Sequence, residues 1–264
     1  MGDWVNLMGH QKAAFEVLTE LFTPRTIVQT SLGRTIMRWY ARFDVFIGIM
    51  GSVPTTLPRA WFLTMVEYCS NQAAADPGNI SWSIEACDAR LRLISMEMSL
   101  LFGRGASQEV TQEEYTVEHG RLATALGAWK SIWDAMLNDP AYLVTDFGSE
   151  PIVDPDDFVS PVSGALFRPP LFAATILDCD WHSISLMHGS QSAFESSEET
   201  RASLVEHANA ICRICSTVES WPPSPAGSLI ILLSFLAMAA LFVESDAKHH
   251  MWIRKKLARL EVMG

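Results

Sequence analysis

LGRTIMRWYARFDVFIGIMGSVPTTLPRAWF, residues 32–62, is the stretch from which the fold can be read. Ile36, Trp39, Tyr40, Phe43, Ile47 and Met50 recur at three- and four-residue spacing, which lines one face of an α-helix. Gly51, Ser52, Val53 and Pro54 break the run. Pro58 can open a second helix, because the first helical position needs no N–H, and Trp61, Met65 and Cys69 continue the apolar face. The stretch therefore reads as a helical hairpin in which Trp39, Tyr40, Asp44 and Trp61 hold the fold and form no site.

The same period extends outward in both directions. Asn79 to Leu101 places Ile84, Cys87, Leu91, Ile94 and Met98 at helical spacing behind the breaker Asp76-Pro77-Gly78, with Gly103-Arg104-Gly105 expected to end the helix. Thr111 and Glu114 have capping-box spacing ahead of a long helix carrying Tyr115, His119, Leu122, Leu126, Trp129, Trp133 and Met136. Further helices are expected on Ala174, Leu177, Trp181, Ile184 and His188, on Leu204, Ala208, Ile211, Cys215 and Val218, and on Trp252, Ile253, Leu257 and Leu260. Between them lies an acidic loop at about 138–168, rich in proline and free of lysine and arginine until Arg168, which is the best candidate for a mobile segment. No strand pattern, repeat or βαβ alternation competes. The expected fold is all-α, a single domain of about eight to ten helices packed around a central apolar helix.

That central helix is expected in Ala226 to Val243, 18 residues without a charge. The run is near the lower limit for a membrane span, but Ser228 and Ser234 interrupt it and the other amphipathic helices need a common partner to cover. No membrane contact is therefore expected. At 49% hydrophobic and 19% charged residues, the 264-residue chain has a large core and is not a disordered chain. Its formal charge of −11 repels phosphate backbones and argues against direct nucleic-acid contact. The five cysteines are an odd number without secretory framing, as expected of reduced thiols in an intracellular protein of the nucleus or cytoplasm.

Few constellations carry chemistry. Cys212-Arg213-Ile214-Cys215 has the gap that metal and redox sites use, but no second pair completes a zinc site, and His207 is the nearest additional donor. Two buried thiols on one helix face explain the spacing better, so neither metal nor cofactor is expected. Asp178 and His182 are four residues apart, which lets a carboxylate orient an imidazole as a general base. They are the sole acid–base pair to nominate, and no nucleophile motif accompanies them. Arg34, Arg38 and Arg42 form a ladder on one helix face, expected to pair with carboxylates such as Asp44 or those of the acidic loop. Asn79-Ile80-Ser81 matches a glycosylation sequon and reads as a chance tripeptide.

The W-Y then F-D of LGRTIMRWYARFDVFIGIM, followed by L-P-R-A-W, resembles the fungal-specific regulatory domain of binuclear zinc-cluster transcription factors. FRPPLFAATILDCDWHSIS, EHANAICRICSTVES and MWIRKKLARLEVMG resemble successive helices of that domain in the same order, so the likeness spans about residues 10–264. It implies an all-helical regulatory module lying C-terminal to a DNA-binding zinc cluster, with lipid bound in sterol-responsive members. The six-cysteine cluster and its basic neighbour are missing here, and the family offers no catalytic residue to carry over.

Three functions are then open. One is a regulatory domain for transcription, secondary metabolism included, that senses an apolar small molecule or a protein partner such as a co-regulator. Its expected ligand residues are Phe172, Trp181, His182, Phe235 and Phe242, aromatic and imidazole groups near the long apolar run. The second is a pathway enzyme or auxiliary protein built on Asp178 and His182, and the third is a homodimerisation or interaction module marked by exposed apolar helix surface.

Overall fold

A computed structural model describes residues 4–148, 154–155, 157–191, 197–225 and 227–263. Among them are ten α-helices and no strand, so the chain is all-α as its periodicity indicates. In chain order they are α1 (Trp4–Leu21), α2 (Pro24–Ile27), α3 (Ser31–Gly51), α4 (Arg59–Ala75), α5 (Ile80–Ala106), α6 (Gln112–Met136), α7 (Phe172–Ser190), α8 (Glu198–Glu219), α9 (Ser228–Ala239) and α10 (Ala247–Met263). They gather into two compact units, Met1–Trp133 and Asp134–Gly264, each with an apolar core of its own. No described helix is long and apolar enough to cross a membrane.

In the first unit α5 packs on α3 and α4, and the hairpin of residues 32–62 is present. Its buried face keeps Tyr40 and Ile47 of the expected apolar stripe but not Trp39 and Met50. Met37, Tyr40, Ala41, Asp44, Val45 and Gly48 are buried, whereas Trp39 is 67% exposed and Met50 is also at the surface. The reason is close approach. A Cβ on Gly48 would lie 2.9 Å from Ser99 Cβ of α5, and one on Gly33 would collide with the Ile27 carbonyl, so the glycine-bearing face is the one that docks. Trp39 stacks on Phe43 at the rim, with ring centroids 6.1 Å apart, and is not a core residue.

Asp44 closes the hairpin. It is fully buried, and its carboxylate accepts Thr56 N at 2.8 Å, Leu57 N at 2.9 Å and Gln11 Nε2 at 2.6 Å. The side chain thus supplies partners for two backbone amides of the turn that no helix could satisfy. Burial raises its pKa above the usual carboxylate range despite those hydrogen bonds. Tyr40, one turn earlier, donates its hydroxyl to Gln11 O at 2.9 Å.

Arg34 and Arg38 of the arginine ladder pair with carboxylates of α5. Arg34 Nε meets Glu85 Oε2 at 2.8 Å, and its guanidinium lies over the Trp82 ring at 4.7 Å. Arg38 reaches Glu85 and Asp88 at 4.0 and 3.9 Å, while Asp88 also takes the buried Arg92 at 3.1 Å. Burial lowers the Arg92 pKa to about 10, with Asp88 opposing the shift.

Helix ends follow local chemistry. Asn79, the first residue of the sequon-like tripeptide, caps α5 by accepting Ser81 N at 3.2 Å. Thr111 and Glu114 form the reciprocal capping box, at 2.9 and 3.2 Å. Two boundaries differ from the sequence expectation. α5 runs through Gly103 and Gly105 to Ala106, because Gly103 serves close packing on Pro54 and not helix termination. The apolar run forms a helix only over Ser228–Ala239, entered through Gly227 at φ +79°, and turns from Ala240 to Phe242.

In the second unit α9 packs against α7, α8 and α10. The described ends of the acidic loop are pinned together, with Val144 N on Leu166 O at 2.8 Å and Arg168 N on Tyr142 O at 2.9 Å. The expected mobile stretch falls in part on residues 149–153 and 156, which lie outside the described residues.

Candidate functional site

α7 and α8 carry most of the residues that sequence reasoning singled out. α7 begins beyond Pro169 and Pro170, where Thr175 Oγ1 accepts Phe167 N at 2.9 Å and ties the incoming chain to the first turn. α8 begins behind Ser197, whose hydroxyl accepts Thr200 N at 3.1 Å, with Glu198 and Glu199 placed where the helix dipole favours negative charge. Each buries a face of small and aliphatic residues, Ala174, Leu177, Ile184 and Leu186 on α7 and Ala208, Ile211, Ile214 and Val218 on α8.

Two imidazoles meet between these helices. His182 Nδ1 of α7 lies 2.9 Å from His207 Nδ1 of α8, and both rings are part-buried. Trp181 presents its ring at 71–73° to each of them, with centroids 4.8 Å from His182 and 5.1 Å from His207. The result is a three-ring cluster supplied by two helices. Trp181 and His182 are in it as nominated; His207 joins them from 25 positions away. In the sequence His207 stands out only as a donor near Cys212 and Cys215, because a spacing rule within one helix cannot pair residues of two.

The cysteines of α8 lie in the core. Cys212 and Cys215 are buried on one face, and Cys179 of α7 joins them in the same apolar cluster. Burial first, and a hydrogen bond with Cys215 second, push the Cys179 thiol well above the ordinary range; burial does the same to Cys212. Thiols held protonated are poor nucleophiles and poor metal ligands, so their chemistry here is that of small apolar packing groups.

The remaining nominated residues are spread over the second core. Phe172 stacks on Trp221 with centroids 6.3 Å apart, Phe235 is buried, and Phe242 packs half-buried against the same cluster. Asp178 is buried one turn before His182. Two clefts lie in the first unit. One is a void of about 10 Å³ between Met37, Arg38, Phe62 and Arg92, and the other an open groove of about 420 Å³ lined by Leu101, Arg104, Val110, Glu114, Val117 and Glu118 among others. Phe172, Trp181, His182, Phe235 and Phe242 line neither.

Among the described residues one group of three metal-capable side chains draws together, Glu244, Asp246 and His249 ahead of and within the first turn of α10. Its geometry has a structural explanation, since Asp246 accepts His249 N at 2.8 Å as a helix cap and His249 Nδ1 at 2.8 Å. Comparison with known protein families, curated proteins and solved structures finds no match to this chain.

Proposed function

We propose that this chain is a regulatory domain of the fungal binuclear zinc-cluster transcription factor type, acting in the nucleus by binding an apolar ligand or partner surface. The likeness of residues 10–264 to that domain supports the lineage, and the all-helical fold is compatible with it. The observation that carries the binding role is the outer face of α9. Ile230 and Ile231 of α9 are about half exposed, Leu241 in the turn that follows is 69% exposed, and the helix has no charged residue from Ser228 to Ala239. An uncharged apolar helix face at the surface is the kind of feature that ligands and partners cover.

Thermal-shift screening of the chain with sterols and fungal secondary metabolites tests the ligand role. A stabilising compound whose effect disappears in Ile230→Asp/Ile231→Asp supports it. No shift with any compound, together with no six-cysteine cluster in the upstream coding sequence, removes its basis.

A dimerisation role has its own support on α3. Leu32, Ile36, Trp39, Phe43, Phe46 and Met50 alternate four- and three-residue steps, the a/d pattern of a coiled-coil seam, and Leu32, Trp39 and Met50 are exposed. Sedimentation at several concentrations should then show a dimer that Trp39→Glu dissociates. A monomer at every concentration would defeat this role.

A further inference from the structure

The His182–His207 contact can hold one proton and not two. The Nδ1 atoms are 2.9 Å apart while the ring centroids are 5.2 Å apart, so the rings lie on opposite sides of the contact and aim these nitrogens at one another. A nitrogen pair in that arrangement is bonded only when one Nδ1 carries hydrogen and the other offers its lone pair. Two neutral rings of opposite tautomer meet the condition, and so does one neutral ring with one cationic ring. With both Nδ1 atoms protonated, two N–H groups would point at each other across the same gap, and the rings must part.

We propose that His182 and His207 form a one-proton latch between α7 and α8, closed near neutral pH and released in acid when a second proton reaches the bare Nδ1. The neighbouring groups leave that restriction in place. On α7, Asp178 and Asp180 are buried near His182 and His188 is buried toward the C-terminal end. On α8, Glu206 beside His207 is exposed and takes Arg213 Nη2 at 2.7 Å. α9, packed on both helices, has no titratable side chain from Ser228 to Ala239, and the core thiols Cys179 and Cys212 stay neutral. A carboxylate at Asp178 can balance the charge of an imidazolium, but it cannot relieve two N–H groups facing each other. The limit is set by geometry before it is set by charge.

The sign of the pH effect follows from counting protons. Relative to two neutral rings, the unfolded chain takes up two protons at these histidines below about pH 6.5, where the closed latch takes up one, at Nε2 of the ring whose Nδ1–H donates, so the closed state loses about tenfold in population per pH unit below that point. Stability from the latch is complete above that pH and declines in acid.

Amide hydrogen exchange in α7 and α8 of the full chain, at pH 7.5 and pH 5.5, tests the latch against His207→Asn. The asparagine amide falls near the Nδ1 position and cannot take up a proton. Exchange in the wild type should accelerate relative to the variant by about tenfold at pH 5.5 compared with pH 7.5, and an unchanged ratio would overturn the proposal. Imidazole nitrogen NMR of the unmodified chain decides the matter even where the variant does not fold. One ring with Nδ1–H and one with a bare Nδ1 at pH 7.5 is the expected pattern. The same tautomer on both rings, or two fully protonated rings at pH 5.5 with α7 and α8 still protected, rules the latch out.

Discussion

The two units hold their helices together by different means. In Met1–Trp133 ion pairs bridge helices beside the apolar core, Arg34 and Arg38 of α3 with Glu85 and Asp88 of α5, while Asp88 also pairs with Arg92 within α5 and Asp44 takes two turn amides. In Asp134–Gly264 the helices α7, α8 and α9 meet through aliphatic side chains, three thiols and a pair of imidazoles. Buried charges demand their partners in one geometry, whereas apolar and thiol contacts can shift by a fraction of an ångström at small cost. The α3–α5 contact is thereby specified more strictly than the α7–α8 contact.

The largest effect should come from breaking the charged core on one side only. Arg92→Ala leaves Asp88 without its buried partner and should cost about 3–5 kcal/mol in urea unfolding. Replacing both, Arg92→Met with Asp88→Leu, should cost clearly less, and equal losses would mean that packing, not charge, is what Arg92 supplies. Asp44→Ala comes next at about 3 kcal/mol, because Thr56 and Leu57 keep buried N–H groups with no acceptor.

Asp44 also carries a pH signature. Its folded pKa is raised by burial, so the stability it contributes is complete below the unfolded value of about 3.9 and is lost as pH rises through the folded one. The wild-type advantage over Asp44→Asn should shrink between pH 4 and pH 7, measured by urea midpoints. A growing advantage would mean that hydrogen bonds outweigh burial at this carboxylate.

In the second unit the expected effects are smaller. Cys179→Ser puts a hydroxyl among apolar neighbours and should cost about 1–3 kcal/mol, with Cys179→Ala nearer the lower end. Native protein should react with a thiol reagent only as fast as it opens, since all five cysteines are buried. Smallest of all, Trp39→Ser should change stability by less than about 0.5 kcal/mol, as expected for an exposed side chain. A loss of several times that size would mean that the rim stack of Trp39 on Phe43 supports the fold.

Much of this architecture is legible along the chain because helices announce themselves locally. The three- and four-residue periods and the Thr111–Glu114 box depend on residues within one turn of each other, and they appear as helices and a cap where the spacing puts them. What the spacing conceals is direction. α3 has apolar residues on nearly all sides, and it is the small side, Gly33, Ala41 and Gly48, that turns inward, with the large aromatic Trp39 left outside. Long-range pairings are hidden for the same reason. Nothing near Asp44 in sequence marks Thr56 and Leu57 as its targets, and nothing near His182 points to His207. The helix length of the apolar run was equally concealed, since hydropathy continues to Val243 while the helix stops at Ala239.

The Asp44 clamp has a consequence for how the hairpin could be rebuilt. Pro54 packs beside Gly103, and Thr56 and Leu57 hang on the carboxylate, so the joint between Pro54 and Thr55 separates two fixed ends. Extra residues inserted there lengthen a loop whose closure is already secured, a change that costs only about 0.6 kcal/mol for each doubling of length. Insertion one peptide bond beyond Thr56 would separate the two amides from each other and leave the carboxylate one partner short. The same seven-residue turn, 52–58, thus contains both a permissive and a forbidding point for grafting a tag or a reporter.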